Sequence, residues 1–114
     1  MYLLLDMLSV IIPTFNEEKY LPKLLESIKK QTYKDYEIIV ADATSKDRTR
    51  QMAKKYNCRV IKGGMPAIGR NNGAKIAKGD ILLFLDADSI IEKDFISNAL
   101  IYMKKRKLDV AGSY

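Results

Sequence analysis

Short apolar runs and longer amphipathic stretches take turns along this chain. Residues 8–13 read as a strand, stopped by Pro13. Residues 18–31 carry Tyr20, Leu21, Leu24, Leu25 and Ile28 at helical spacing. Pro22 would remove a donor and clash with the preceding turn inside a helix. The spacing therefore predicts a short turn over 17–21 and a regular helix starting near Pro22. Residues 37–41 form the second strand. The second helix covers 47–56, with Thr44 and Ser45 ahead of it as caps. The third strand is 58–62, and Gly63 and Gly64 make a turn. The third helix is 67–78, with Gly79 at its end. The fourth strand is 81–85. The fourth helix is 94–107, with Phe95, Leu100 and Met103 inward, and 109–111 begins a fifth strand.

This alternation implies βαβ units, a parallel sheet and the α/β class. No linker, repeat or low-complexity segment interrupts it, so the chain reads as one domain. Residues 110–114 look like a strand just starting, so the chain is expected to be the front half of something longer.

The fourth strand carries the most information. Ile81 to Leu85 is too short for a helix and too apolar for a half-exposed strand. Burial on both faces is predicted. The run ends in Asp86 and Asp88, at the edge where open α/β sheets bind ligands. Acids at i and i+2 share one side of an extended chain. Together they hold a hard divalent cation through oxygen, and the cation holds phosphates. An isolated Asp-x-Asp is weak, because acids are common in turns. After a buried strand in this order it is stronger, and a metal-assisted nucleotide site leads.

The other strand ends meet the same edge. They are Pro13-Thr14-Phe15-Asn16-Glu17-Glu18, Asp42-Ala43-Thr44-Ser45-Lys46-Asp47, and Gly63-Gly64-Met65-Pro66 leading to Gly69-Arg70-Asn71-Asn72-Gly73. In a functional reading they form one cleft. Asp42 accepts from a base N–H or a ribose hydroxyl, Arg70 faces a base carbonyl or phosphate, and Thr14 and Phe15 line the base pocket. A plainer reading stands beside it. Thr14 with Glu17, and Thr44 with Asp47, fit capping boxes. Asp42 is then a turn residue and Arg70 a solvated charge. Gly73 inside a helix costs about 1 kcal/mol against alanine, which points to close packing or a nearby ligand.

Composition narrows the chemistry. Of 114 residues, 47% are apolar, enough for a core. Lys and Arg total 20 against 14 acids, giving +6. That favours anionic partners, whether phosphates, nucleic acid or a membrane surface. The chain has no histidine, which excludes a His-based triad and a His-ligated zinc site within it. The single cysteine, Cys58, forms no internal disulfide and reads as a small hydrophobe. Residues 1–10 are apolar but Asp6 interrupts them, and a spanning helix needs roughly 20 residues. They also lack a signal peptide's basic start and cleavage site, so the default location is cytoplasmic. The run Lys104-Lys105-Arg106-Lys107 suits a helix dipole. Alternatively it docks on anionic lipid near a lipid-linked acceptor, making the protein peripheral at the membrane. The first βα turn lacks the G-x-G-x-x-G of NAD enzymes, the P-loop glycines, and the Gly-rich basic loop of sugar nucleotidyltransferases.

Four motifs in order now carry a resemblance. They are Ser9-Val-Ile-Ile-Pro-Thr-Phe-Asn-Glu-Glu18, Glu37-Ile-Ile-Val-Ala-Asp42, Gly69-Arg-Asn-Asn-Gly73 and Gly79-Asp-Ile-Leu-Leu-Phe-Leu-Asp-Ala-Asp88. Together they resemble the N-terminal half of a family 2 glycosyltransferase, over roughly residues 8–112. The resemblance implies the GT-A fold: a Rossmann-like, three-layer αβα arrangement on a mostly parallel sheet, with 1–114 as its nucleotide-sugar-binding half. It implies transfer of a sugar from a UDP- or GDP-sugar, commonly with inversion, and Mg²⁺ or Mn²⁺ as cofactor. The partner is then a nucleotide sugar and not nucleic acid. By the same resemblance Pro13, Thr14, Phe15 and Glu17 line the nucleoside pocket, and Asp42 holds the base. Arg70 borders the nucleotide, Asp86 contacts ribose or metal, and Asp88 coordinates the metal at the diphosphate.

Two departures stand out. The family often has a second acid and then Gly after the position of Asp42, where this chain has Ala43 and Thr44. Base identity stays open. The family's acceptor region and general base lie beyond the Asp-x-Asp segment, and no residue here is assigned as that base. The expectation is a chain that binds nucleotide without transferring sugar. The edge of a fifth strand from Asp109 is expected to pair with a second copy. The alternative from another class is a non-catalytic nucleotide-binding or partner-binding module.

Overall fold

A computed structural model describes residues 7–106. They form β1 (Leu8–Thr14), α1 (Leu21–Lys29), β2 (Tyr36–Asp42), α2 (Thr49–Lys55), β3 (Arg59–Lys62), α3 (Pro66–Ile76), β4 (Ile81–Phe84) and α4 (Phe95–Arg106). The four strands pair in parallel in the order β3-β2-β1-β4. Alternation along a strand sends successive side chains to opposite faces. On one face Leu8, Val10, Ile12 and Val40 join Leu21, Leu24, Leu25 and Ile28 of α1, Ala53 of α2, and Ile96 and Leu100 of α4. On the other face α3 lies against Ile11, Pro13 and Ala41. This is the three-layer αβα arrangement of the α/β class.

Local chemistry explains the main features. Tyr20 and Leu21 donate to the Glu17 carbonyl in a turn, and Pro22 sits in the first helical turn of α1, where its missing donor costs nothing. Gly73 lets α3 approach the sheet closely. A Cβ there would stand 2.5 Å from Ile11 Cγ2. The close packing predicted at Gly73 is therefore present, and it sets Arg70 near the carboxyl edge. Burial pushes the Cys58 thiol up to about 12, so it is an inert apolar filler. Among the described residues no helix is long and apolar enough to cross a membrane.

Several expectations are corrected. Gly79 does not end α3. The helix stops at Ile76 and Ala77 is already extended. A Cβ on Gly79 would lie 2.6 Å from Ser9 Oγ and 2.8 Å from the Met7 carbonyl. The glycine is there because the chain crosses the start of β1 on its way to β4. Nor is β4 buried on both faces, since Leu82 is 40% and Phe84 43% exposed. Among the described residues it is the outer strand of the sheet, and α3 packs over the other three strands. Ile96 is a core residue that the pattern left out, and Tyr20 is exposed. The fifth strand over 109–111, with its edge, lies outside the described residues.

A polar staple holds the start of β4 in place. Ser9 is buried, donates to Glu37 Oε2 at 2.6 Å and accepts from the Gly79 N–H at 2.8 Å. Lys78 N–H donates to the same Glu37 oxygen. Burial works to raise the Glu37 pKa, but the Ser9 and Lys78 hydrogen bonds and the Lys78 and Arg59 charges outweigh it. The carboxyl is held below its ordinary value near 4.5. A depressed folded-state pKa stabilises fully above the unfolded value and loses that contribution as pH falls through the folded one. Glu37→Gln is therefore expected to lower the urea midpoint at neutral pH and to narrow its gap to wild type as pH drops below about 4.5. A gap independent of pH would show that the staple does not depend on the charge.

Candidate functional site

The chain runs from β1 to β2 and β3 on one side of the sheet, then returns to β4 on the other side of β1. The carboxyl ends of β1 and β4 thus flank a topological switch point, where a crevice opens. Thr14 ends β1 in register with Asp42, which ends β2. Asp86 and Asp88 follow β4, on either side of the buried Ala87, and both are exposed. With β1 between them, the Asp42 and Asp86 strands stand roughly 10 Å apart, two strand spacings.

The β1 and β2 ends are knotted together. Thr14 Oγ1 donates to Asp42 Oδ1 at 2.7 Å. Ser45 donates its hydroxyl to the same oxygen at 2.6 Å and its N–H to Asp42 Oδ2 at 2.8 Å. Arg50 Nε lies 3.8 Å from Oδ2. Asp42 itself is 3% exposed. Around it Asn16 N–H donates to Ser45 Oγ, Lys46 N–H to Asn16 Oδ1, and Glu17 N–H to Thr49 Oγ1. Glu18 N–H donates to Asp47, and Arg48 N–H to Glu18. Neither expected capping box forms, and the N-cap residues Tyr20 and Arg48 make no side-chain cap, although Asp47 Oδ1 accepts from the Thr49 N–H at the start of α2. The polar side chains bond across the two loops instead. Asn16 and Thr44 take left-handed backbone, φ 51° and 61°. Left-handed backbone is unusual for a β-branched residue such as Thr44.

The β4 side is open. Arg70 Nη2 lies 3.7 Å from Asp86 Oδ1, with much of both side chains in solvent. Asp88 makes no hydrogen bond or ion pair among the described residues. Glu17 links the two sides. Burial first, then repulsion from Asp88, Asp47 and Asp86, raises its carboxyl above the ordinary range. Phe15 is 59% exposed beside it. The structure therefore brings Pro13, Thr14, Phe15, Glu17, Asp42, Arg70, Asp86 and Asp88 to one edge. Among the described residues no three carboxylate or thiol groups gather to hold a metal unaided. Two solvent-exposed carboxylates, Asp86 and Asp88, suit Mg²⁺ or Mn²⁺ when phosphate oxygens and water complete the shell.

Sequence reasoning missed Ser45 as the central partner of Asp42 and treated it as a helix cap. The matched strand ends at Thr14 and Asp42 were the available signal. A groove of about 670 Å³ lies at the opposite edge, lined by Tyr36, Tyr56, Glu26 and Lys29 among others. Size does not make it the site, since Glu26 is engaged by the Tyr56 hydroxyl and Glu37 by Ser9. A smaller one of about 320 Å³, with Phe84, Asp86, Ile90 and Phe95, adjoins the carboxyl edge.

Comparison with known proteins follows this geometry. The model of glycosyl transferase family 2 matches residues 9–114. The chain is 37% identical over 112 residues to the poly(ribitol-phosphate) beta-N-acetylglucosaminyltransferase TarS of Staphylococcus aureus. That match covers 90% of this chain and 20% of TarS. The structure of S. aureus TarS 1-349 in complex with UDP-GlcNAc superposes with a TM-score of 0.80 at 35% identity, over 89% of this chain and 32% of that one. Glucosyl-3-phosphoglycerate synthase from Mycobacterium tuberculosis, solved with Mn²⁺, UDP and glucosyl-3-phosphoglycerate, gives a TM-score of 0.66 at 27% identity. That match covers 87% of this chain and 39% of the synthase. The chain thus spans from under a fifth to two fifths of the length of the relatives it matches.

Proposed function

The chain belongs to glycosyl transferase family 2, and from that premise we propose that its carboxyl edge binds the nucleotide-diphosphate half of a sugar donor with a divalent cation, for glycosyl transfer. One observation carries the reading. At the switch point two solvent-facing carboxylates, Asp86 beside Arg70 and Asp88 two residues on, follow β4, with the buried carboxylate of Asp42 two strands away. In this reading Asp42 accepts from the base, and Pro13, Thr14, Phe15 and Glu17 line the nucleoside pocket. Asp86 meets ribose or metal, and Asp88 holds the metal at the diphosphate. The relatives solved with UDP-GlcNAc, and with UDP and Mn²⁺, support this direction.

The chemistry follows from charge. Breaking a sugar–diphosphate bond builds negative charge on the leaving group, and a bound divalent cation stabilises that charge. Arg70, held near Asp86, adds a cation at the same edge. Deprotonating the acceptor hydroxyl needs a general base, and none of the described residues is assigned that role.

Calorimetric titration of UDP and GDP, each with Mn²⁺, Mg²⁺ or EDTA, tests the proposal. Binding of at least one nucleotide is expected, and only with metal. Heat signals unaffected by EDTA would remove the metal from the reading. Absence of binding under every condition would remove the nucleotide.

A further inference from the structure

Gln31, just past the end of α1, is a polar side chain with no exposed surface. A buried amide is costly unless it is hydrogen-bonded. Its Nε2 donates to the Ser27 and Glu92 carbonyls, and its Oε1 accepts from the Ile96 N–H at 3.0 Å. Its neighbours reach the same segment. Ser27 Oγ accepts from the Ile91 N–H at 3.2 Å, and the Thr32 N–H donates to the Lys93 carbonyl at 2.9 Å. The segment is neither helix nor strand over residues 85–94, and it carries Asp86 and Asp88. Its beginning is fixed as well. The Leu85 N–H donates to the Ile11 carbonyl of β1, and Ala87 is buried in the core. Between these anchors the Ser89 N–H closes a turn onto the Asp86 carbonyl at 3.0 Å. Only Ser89 and Ile90 separate Asp88 from Ile91, the first residue tied to α1.

We infer that Gln31, together with Ser27, is a positioning residue for the divalent cation: by tying residues 91 and 92 to the end of α1 it limits how far the Asp86 and Asp88 carboxylates can spread. This rests on the metal–nucleotide reading above and extends it to which cation the edge prefers. Mg²⁺ demands near-ideal octahedral geometry, whereas Ca²⁺ accepts more oxygens in flexible arrangements. Carboxylates held at a fixed spacing therefore favour Mg²⁺, and a loosened pair loses that advantage. Gln31 acts through the backbone of the loop and touches neither cation nor nucleotide. It also satisfies the Ile96 N–H, one of the donors that the start of α4 leaves without a helical partner. Capping of that kind supports the fold, but it gives no reason to discriminate between cations.

The test is calorimetric titration of the full chain with UDP and GDP, each as the Mg²⁺ and the Ca²⁺ complex. Wild type is expected to bind the Mg²⁺ complex of at least one nucleotide more tightly than its Ca²⁺ complex. Gln31→Leu replaces the amide by apolar carbon of similar size. It should weaken the Mg²⁺ complex by about tenfold, the lower end of what losing an outer-shell partner costs, and the Ca²⁺ complex much less. Ser27→Ala should shift the ratio the same way by a smaller factor, and it carries the comparison should Gln31→Leu not fold. Amide hydrogen exchange without metal gives a second readout. Residues 89–92 should exchange faster in either variant, while the amides of β1 and β2 keep their wild-type protection. Equal losses for both cations in a folded variant overturn the inference and mark a capping role alone. Unchanged affinities, or unchanged exchange over residues 89–92, also overturn it. So does a wild type that binds both complexes equally well. Wild type binding neither nucleotide with either cation overturns it together with the metal–nucleotide reading.

Discussion

Asp88→Ala is expected to abolish metal-dependent nucleoside diphosphate binding while leaving the fold intact. Asp88 is exposed and bonds to nothing among the described residues, so its removal strips no partner from the protein. If it is a direct ligand of the cation, the loss should exceed the 10–100-fold that removing an outer-shell partner typically costs in metal affinity, thus more than about a hundredfold. The thermal midpoint should stay within about 2 °C, because surface substitutions usually change stability by no more than about 0.5 kcal/mol. Glu17 provides an internal reporter. Burial is the largest cause of its raised pKa and repulsion from Asp88 the next, so the substitution should move the Glu17 carboxyl back toward its ordinary range. An NMR titration of that carboxyl, with and without Mg²⁺, reads both effects. Unchanged metal dependence in a folded Asp88→Ala variant would refute the metal role.

Much of the frame was legible because its signals are local. Helical spacing in α1, the Pro22 start and the period of the strands depend on near neighbours in sequence. The carboxyl-edge rule then collected Thr14, Asp42, Arg70 and Asp86 without any long-range knowledge. What stayed hidden depends on partners distant in sequence. The apolar run of β4 reports affinity for apolar surroundings, but Leu82 and Phe84 are exposed because, among the described residues, no strand or helix covers that side of β4 and α3 packs over the other three strands. Gly79 looked like a helix end, yet it is required by Ser9, seventy residues earlier. The capping boxes failed for a related reason. Thr14 sits three residues before Glu17, but its hydroxyl finds a buried carboxylate 28 residues away. A charged acceptor strengthens a hydrogen bond, and that outweighs the local option.

That competition leads to the second large effect. Asp42→Ala should destabilise the chain by roughly 3 kcal/mol or more, because each hydrogen bond to a charged group contributes about 1.5–3 kcal/mol. Three donors lose their acceptor at once: the Thr14 hydroxyl, the Ser45 hydroxyl and the Ser45 N–H. They sit in buried surroundings, where an unpaired polar group costs about 1–3 kcal/mol. The strained Thr44 turn also loses its closure. In a domain of this size the thermal midpoint should fall by at least about 10 °C. Thr14→Val removes a single donor and should cost less, about 1.5 kcal/mol, the lower end for a hydrogen bond to a charged group. The graded pair distinguishes a hub from an incidental turn residue. An Asp42→Ala midpoint within about 2 °C of wild type would mean that the carboxylate does not organise the two loops. The expected loss also limits what this substitution can say about binding. Weakened nucleotide affinity in Asp42→Ala would mix a missing base contact with a collapsed loop pair. Methylating the base separates them, because it removes the contact and leaves the protein untouched.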